Sequence, residues 1–243
     1  MSPREAKVKK DEVLAMIVEA YFETGAPVSS MALVERGMKC SSATIRNIMA
    51  EFIDEGFLAQ PHTSAGRIPT AKAYRYYLDF LMERAHEDLE SDLPNFASRT
   101  ASLDGLIKHI ADSVSELMHQ TGMSAFWGHR DVYLHGRNYL IDYSELQDID
   151  KLREIFTFLE DEQSVHEILW RDIKDRVNVF VGNEIGRPEV SECSLIISAC
   201  DVGDGKEIRI GIIGPMRMDY GRNLSLLERL SEEVEGICKR IAL

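Results

Sequence analysis

The chain has 243 residues, 44% of them hydrophobic and 28% charged, with a formal net charge of −13. That balance excludes wholesale disorder and leaves room for one large core or two modest ones. No apolar run approaches the ~20 residues of a membrane span, and the charged N-terminus MSPREAKVKKDEV lacks the apolar centre of a signal peptide, so a cytosolic protein is expected. The first helix is predicted from Lys10 to Glu23, where Leu14, Ile17, Val18, Tyr21 and Phe22 fall at i, i+3, i+4, i+7 and i+8. Thr24-Gly25 ends it and Pro27 prevents its continuation. Ser29 can cap a short second helix, Ser30 to Glu35, which Gly37 closes.

A third helix opens at Ser41 or Ser42, either of which can cap it. Its stripe is Ile45, Ile48, Met49, Phe52 and Ile53, and Gly56 stands at its C-terminal end. Opposite the stripe lie Ala43, Asn47, Ala50 and Asp54, small or polar residues that let something approach closely. Phe57 to Gln60 reads as a strand and Arg67 to Pro69 as its return, with the polar turn Pro61-His62-Thr63-Ser64-Ala65-Gly66 between them. Thr70 is placed to cap a fourth helix carrying Tyr74, Tyr77, Leu78, Leu81 and Met82. This is the element order of a winged helix-turn-helix, spanning residues 1–84.

Residues 85–98, polar and acidic with Pro94, read as a linker, and residues 99–243 as a second domain. There Leu103 to Met118 is predicted helical. Short strands are predicted near Ala125–Trp127 and Asp131–Leu134, and helices around Leu152–Leu159 and Val165–Leu169. Three strands follow, Val177–Val181, Cys193–Cys200 and Glu207–Ile213, the last two joined by a hairpin loop, Asp201 to Lys206. A loop from Gly214 to Arg222 leads into a final helix with Leu227, Leu230, Val234, Ile237 and Ile241. The expected class is therefore α+β: a winged helix, then a domain with a mainly antiparallel sheet and helices packed on it.

The charge is unevenly shared. Residues 1–84 hold 11 Lys+Arg and 11 Asp+Glu, whereas residues 85–243 hold 17 and 30. An acidic protein is a poor prior for nucleic-acid binding, so any DNA contact falls to the first third, with the acidic remainder turned away. In a helix-turn-helix the second helix enters the major groove N-terminus first. The base- and backbone-reading candidates are therefore Ser41, Ser42, Thr44, Arg46 and Asn47. Arginine can grip guanine through O6 and N7, and asparagine can pair with adenine through N6 and N7. Glu51, Asp54 and Glu55 at the far end would repel phosphates, so that end must point out of the groove. His62, Thr63, Ser64, Arg67, Lys72 and Arg75 are the wing and post-wing candidates for phosphate contact.

Enzyme signatures are scarce. The sequence holds no G-x-S-x-G, P-loop, H-E-x-x-H or G-x-G-x-x-G motif, so neither an enzyme nor a cofactor is expected. His129, Asp131 and His135 are too few for a metal centre. Cys40, Cys193, Cys200 and Cys238 show no C-x-x-C spacing and are expected to be free, small hydrophobes. Asp219-Tyr220 is expected to anchor the last helix by a turn.

Two blocks resemble the HrcA family of bacterial heat-shock repressors. The first is strongest at Ser41–Asn47 (SSATIRN) and Gln60–Thr70 (QPHTSAGRIPT). The second comprises Glu192–Leu195 (ECSL) and Gly211–Tyr220 (GIIGPMRMDY), with weaker matches at Asp131–Gly136 and Asp150–Arg153. The resemblance implies a winged-helix domain followed by a GAF-like domain. It also implies a homodimer on an inverted-repeat operator upstream of chaperone genes, and a link to the GroE chaperonin, which keeps the repressor active. Family members usually carry a further domain inserted in the GAF-like part and linked to dimerisation. Here only a short stretch separates the helix ending near Gln120 from the later strands, so most or all of that insert is absent. Rival readings are a regulator whose GAF-like domain senses a small molecule and a protein-interaction module.

Overall fold

Among the described residues, a sheet of five antiparallel strands and eight α-helices account for most of the structure. The computed structural model describes residues 3–61, 66–83, 102–146 and 148–241. The chain divides into two compact units, Met1–His86 and Glu87–Leu243. The expected linker, residues 85–98, lies outside the described residues, as do the expected phosphate-contact residues His62, Thr63 and Ser64.

In the first unit α1 runs Pro3–Thr24, α2 Ser30–Glu35 and α3 Ser42–Asp54. α1 therefore starts a turn and more ahead of the predicted Lys10. It ends where the sequence says: Thr24 Oγ1 donates to the Ala20 carbonyl at 2.8 Å, and Gly25 turns at φ +64°. Val13, Leu14, Ile17 and Val18 are buried, and Ile45, Ile48, Met49 and Phe52 of α3 are buried as predicted. Two short strands, β1 (Leu58–Ala59) and β2 (Ile68–Pro69), pair antiparallel, Leu58 with Pro69 and Ala59 with Ile68. Arg67 extends the ribbon by bridging Val28, each backbone N–H donating to the other's carbonyl at 2.8 Å. Gly66 permits this approach, since a Cβ there would lie 2.5 Å from the Pro27 carbonyl oxygen.

α4 follows as Ala71–Glu83. Thr70 does stand before it, but its hydroxyl serves a different end. Oγ1 lies 2.8 and 3.0 Å from the carbonyl oxygens of Gly56 and Phe57, and so ties the start of α4 to the turn leaving α3. α4 is bound to α1 through Tyr76 OH, which donates to Asp11 Oδ1 at 2.8 Å.

The second unit is α+β, as expected. Its strands are β3 (Thr121–Phe126), β4 (Tyr133–His135), β5 (Val177–Val181), β6 (Cys193–Gly203) and β7 (Lys206–Pro215). They form one sheet in the order β4-β3-β7-β6-β5, antiparallel throughout. Helices α5 (Leu103–Met118) and α8 (Tyr220–Ile241) cover one face. Ser124 Oγ donates to the Ile107 carbonyl of α5, and the Ser198 and Ser231 hydroxyls meet at 2.7 Å between β6 and α8. Helices α6 (Ile149–Glu160) and α7 (Glu162–Leu169) cover the other face, where Met123, Ala125, Leu195, Ile197 and Ile213 join Ile155, Phe158 and Leu169 in one core. With both faces covered, β6 and β7 read as continuous apolar runs rather than alternating ones.

Several boundaries differ from those expected. β3 begins at Thr121 rather than Ala125, and Gly122 and Ser124, which lie against α5, are small. The β6–β7 strands run closer to their turn than the 201–206 loop implied, with Asp204 (φ +53°) and Gly205 (φ +69°) making it. Residues Arg137–Asp142 and Ser144–Leu146 form 3-10 turns with no periodic signal to announce them. The helix expected after Gly214–Arg222 starts earlier, at Tyr220.

Burial pushes the Cys193 and Cys200 thiols up to about 12, so at neutral pH both are protonated, inert packing groups. Cys238 is also buried and Cys40 half-buried, and all four are free. No helix among the described residues is long and apolar enough to cross a membrane.

Candidate nucleic-acid interface

The N-terminus of α3 is built by three hydroxyls. Ser41 is the cap: its Oγ accepts from the Thr44 backbone N–H at 3.1 Å and lies 2.8 Å from Thr44 Oγ1. Ser42, the other capping candidate, is instead the first helical residue. Its Oγ meets Ser30 Oγ at 2.9 Å, so it fastens α3 to α2. Ser41→Ala should therefore cost about 1 kcal/mol of stability. Thermal unfolding followed by circular dichroism checks this, and no loss would mean that water replaces the cap at no cost.

Beyond the cap, Arg46 and Asn47 project from the exposed face together with Ala43 and Ala50. Among the described residues neither Arg46 nor Asn47 has a hydrogen-bond or ion-pair partner. An exposed arginine beside an exposed asparagine, flanked by two methyl side chains, leaves five guanidinium donors and an amide free for an outside acceptor and donor.

The acidic end of α3 is partly compensated within the protein. Lys10 Nζ lies 2.5 Å from Glu51 and 3.5 Å from Glu55. The hydrogen bond to Glu51 raises the Lys10 pKa, so the lysine keeps its charge across the neutral range. Lys72 Nζ donates to the Glu55 carbonyl at 2.7 Å and sits 4.3 Å above the Phe57 ring. It thus closes the last turn of α3, where a cation also suits the negative end of the helix dipole. The structure does not bring Lys72 to the Arg46 face.

Arg67 and Arg75, the remaining described wing and post-wing candidates, are half-buried and each is engaged within the protein. Lys10 and Ser30 were not singled out in the sequence. For Lys10 a signal existed, the basic run KVKK, but its target on another helix did not show.

In the second unit the GPMRMDY segment is a structural clasp. Arg217 Nε lies 2.5 Å from Glu145, with its guanidinium 5.1 Å from the Tyr143 ring. Asp219 Oδ1 accepts from the Arg222 N–H at 3.0 Å and so caps α8. Tyr220, fully buried, donates to the Met216 carbonyl at 2.7 Å and accepts from Ser194 at 2.6 Å. His135 Nδ1 pairs with Asp112 at 3.0 Å, and the described residues hold no group of three or more potential metal ligands.

The family model of the HrcA protein C terminal domain matches residues 70–224. The heat-inducible transcription repressor HrcA of Symbiobacterium thermophilum is 26% identical, over 93% of this chain and 97% of that protein. The protein of the same name from Syntrophobacter fumaroxidans is 27% identical, over 90% and 94%. The first of these alignments runs over 330 positions, although this chain has only 243 residues, so that relative carries a long segment without a counterpart here. Among solved structures, the crystal structure of a hypothetical protein superposes with a TM-score of 0.79 over 99% of both chains, at 17% identity. That likeness speaks for the fold alone.

Proposed function

The chain belongs to the HrcA family of heat-inducible transcription repressors, and from that premise we propose that it represses heat-shock chaperone operons by sequence-specific DNA binding. In this reading α1 to α4 with the β1–β2 ribbon are a winged helix-turn-helix, and the second unit is a GAF-like regulatory domain. The repressor acts as a homodimer on an inverted-repeat operator, in the cytoplasm, with a GroE-type chaperonin maintaining its active form.

One observation carries the DNA-binding part: the unpartnered Arg46 and Asn47 on the open first two turns of α3. Side chains at this end of a recognition helix reach base edges in the major groove. The Lys10 bridge supports the same reading, because it lowers the cost of bringing Glu51 and Glu55 near phosphates. With residues 1–84 of zero net charge, affinity rests on local phosphate contacts rather than on a broad basic field, and still falls with salt.

Selection from a random duplex pool tests the reading. It should enrich an inverted repeat whose half-sites lie about one helical turn, ~34 Å, apart. Sedimentation of the complex should give two chains per duplex. A pool that returns no enriched sequence would overturn the proposal.

A further inference from the structure

The sheet face that carries α6 and α7 ends in a cluster that DNA binding does not use. Arg209 stands on β7 opposite Ala125 of β3 and Ala199 of β6. Directly opposed residues share a face, so two methyl groups flank the guanidinium and leave the room above it to larger side chains. Those are the only two tryptophans of the chain. Trp127 continues β3 past its last residue, its N–H donating to the Glu207 carbonyl at 2.9 Å. Its ring packs edge-to-face on Trp170, with centroids 5.4 Å apart. The Arg209 guanidinium lies 5.3 Å from the Trp170 ring.

Arg209 is only 9% exposed. Its Nε and Nη2 both reach Glu207 Oε2 at 2.9 Å, and its Nη1 is buried with no acceptor among the described residues. Trp170 Nε1 is in the same condition. A buried N–H without an acceptor is costly, and native structures hold few of them. Here two lie on neighbouring groups, and both are donors. The group that satisfies them must be an acceptor, and a carboxylate against arginine makes the stronger, charge-assisted bond.

The surroundings specify the rest of the ligand. Trp127 is 52% exposed, so part of its ring is open to a flat partner. A cavity of about 460 Å³ lies between Arg130 and α7 residues Glu162, Gln163, His166 and Glu167, within the size range of small-molecule sites. The cavity borders the cluster through His166, whose ring lies 6.1 Å from that of Trp170, and not through Arg209, Trp170 or Trp127 themselves. Of the two carboxylates there, Glu167 is already paired with Arg187, which reduces its repulsion of an anion.

We propose that the Arg209–Trp170–Trp127 cluster is a binding site for an aromatic carboxylate. The carboxylate accepts from Arg209 Nη1 and Trp170 Nε1, and the ring stacks on the open part of Trp127. The site lies wholly in the second unit and its test needs no DNA, so it stands or falls separately from the repressor reading.

Because both tryptophans line the site, intrinsic fluorescence of the full chain reports on it directly. Sodium benzoate, at constant ionic strength, should change tryptophan emission saturably and raise the melting temperature with concentration. Benzamide, the neutral isostere, should bind at least about tenfold more weakly, and inorganic phosphate should give no saturable change. Arg209→Gln should lose the benzoate response, and Trp127→Ala, at an exposed position, should weaken binding as read from Trp170 emission and thermal shift. If Arg209→Gln fails to fold, the benzoate–benzamide ratio on the unaltered protein decides. Three results overturn the proposal: no saturable benzoate response, equal responses to benzamide, or an equal response to phosphate.

Discussion

Gly122→Ala is expected to destabilise the second unit by about 3 kcal/mol, the upper part of the range for overpacking a core. That corresponds to a fall in melting temperature of roughly 6–12 °C for a domain of this size. An added Cβ would lie 2.4 Å from the Ala111 carbonyl oxygen and 2.9 Å from the Ser115 backbone nitrogen. Both are backbone atoms of α5, so no side chain can swing aside and β3 and α5 must part. The parting opens the layer in which Leu106, Ile107, Ile110 and Val114 are buried. Gly236→Ala is the matched control. A Cβ there meets nothing within 4 Å, and the residue is mid-helix in α8, so alanine should stabilise by up to ~1 kcal/mol. Calorimetry of both variants settles the matter: equal melting temperatures would show that α5 is not held against β3 as described.

Arg46→Ala and Asn47→Ala should each weaken binding to the selected duplex by about 1–3 kcal/mol, roughly five- to 150-fold, the value of a bidentate base contact. Binding to unrelated duplex should change little. Because both side chains are exposed and lack partners among the described residues, the melting temperature of the free protein should stay where it is. Equal losses on both duplexes would mean that Arg46 touches only phosphate. Lys72→Met makes the contrast. With Nζ on the Glu55 carbonyl and over Phe57, its loss should lower stability by about 0.5–1.5 kcal/mol and leave the salt dependence of DNA binding almost unchanged. A flattened salt slope would instead assign Lys72 to the phosphate backbone.

Much of the architecture was legible one residue at a time. Ser29 and Ser41 cap helices where their small hydroxyl side chains precede an apolar period, and Gly25, Gly37 and Gly56 end helices at positive φ. β5 was read to the residue because Val177-Asn-Val-Phe-Val181 is rich in β-branched and aromatic side chains between polar turns. The start of β3 is not legible in the sequence because Thr121-Gly-Met-Ser carries little strand propensity. Its place depends on fitting small residues beneath α5, a contact that local preference does not contain.

The candidate interface on α3 divides in the same way. From spacing alone, Asn47 could be placed opposite the apolar stripe of α3 and Arg46 on its flank. That Ser42 reaches Ser30, that Lys10 bridges Glu51 and Glu55, and that Lys72 closes α3 could not. Each of these joins residues that only folding brings together.

By itself, then, the order of residues determined which segments are helical or extended, where most helices begin and end, and which family the chain resembles. The segments and their ends follow from short-range sterics, capping and apolar period, and the resemblance from the motif blocks at 41–47, 60–70 and 211–220. The tertiary structure alone decided which charges are compensated and which buried N–H groups stand without acceptors, Arg209 and Trp170 among them. Those outcomes depend on distances and on exclusion of water between groups far apart in the chain, and neither is encoded in any local stretch of it.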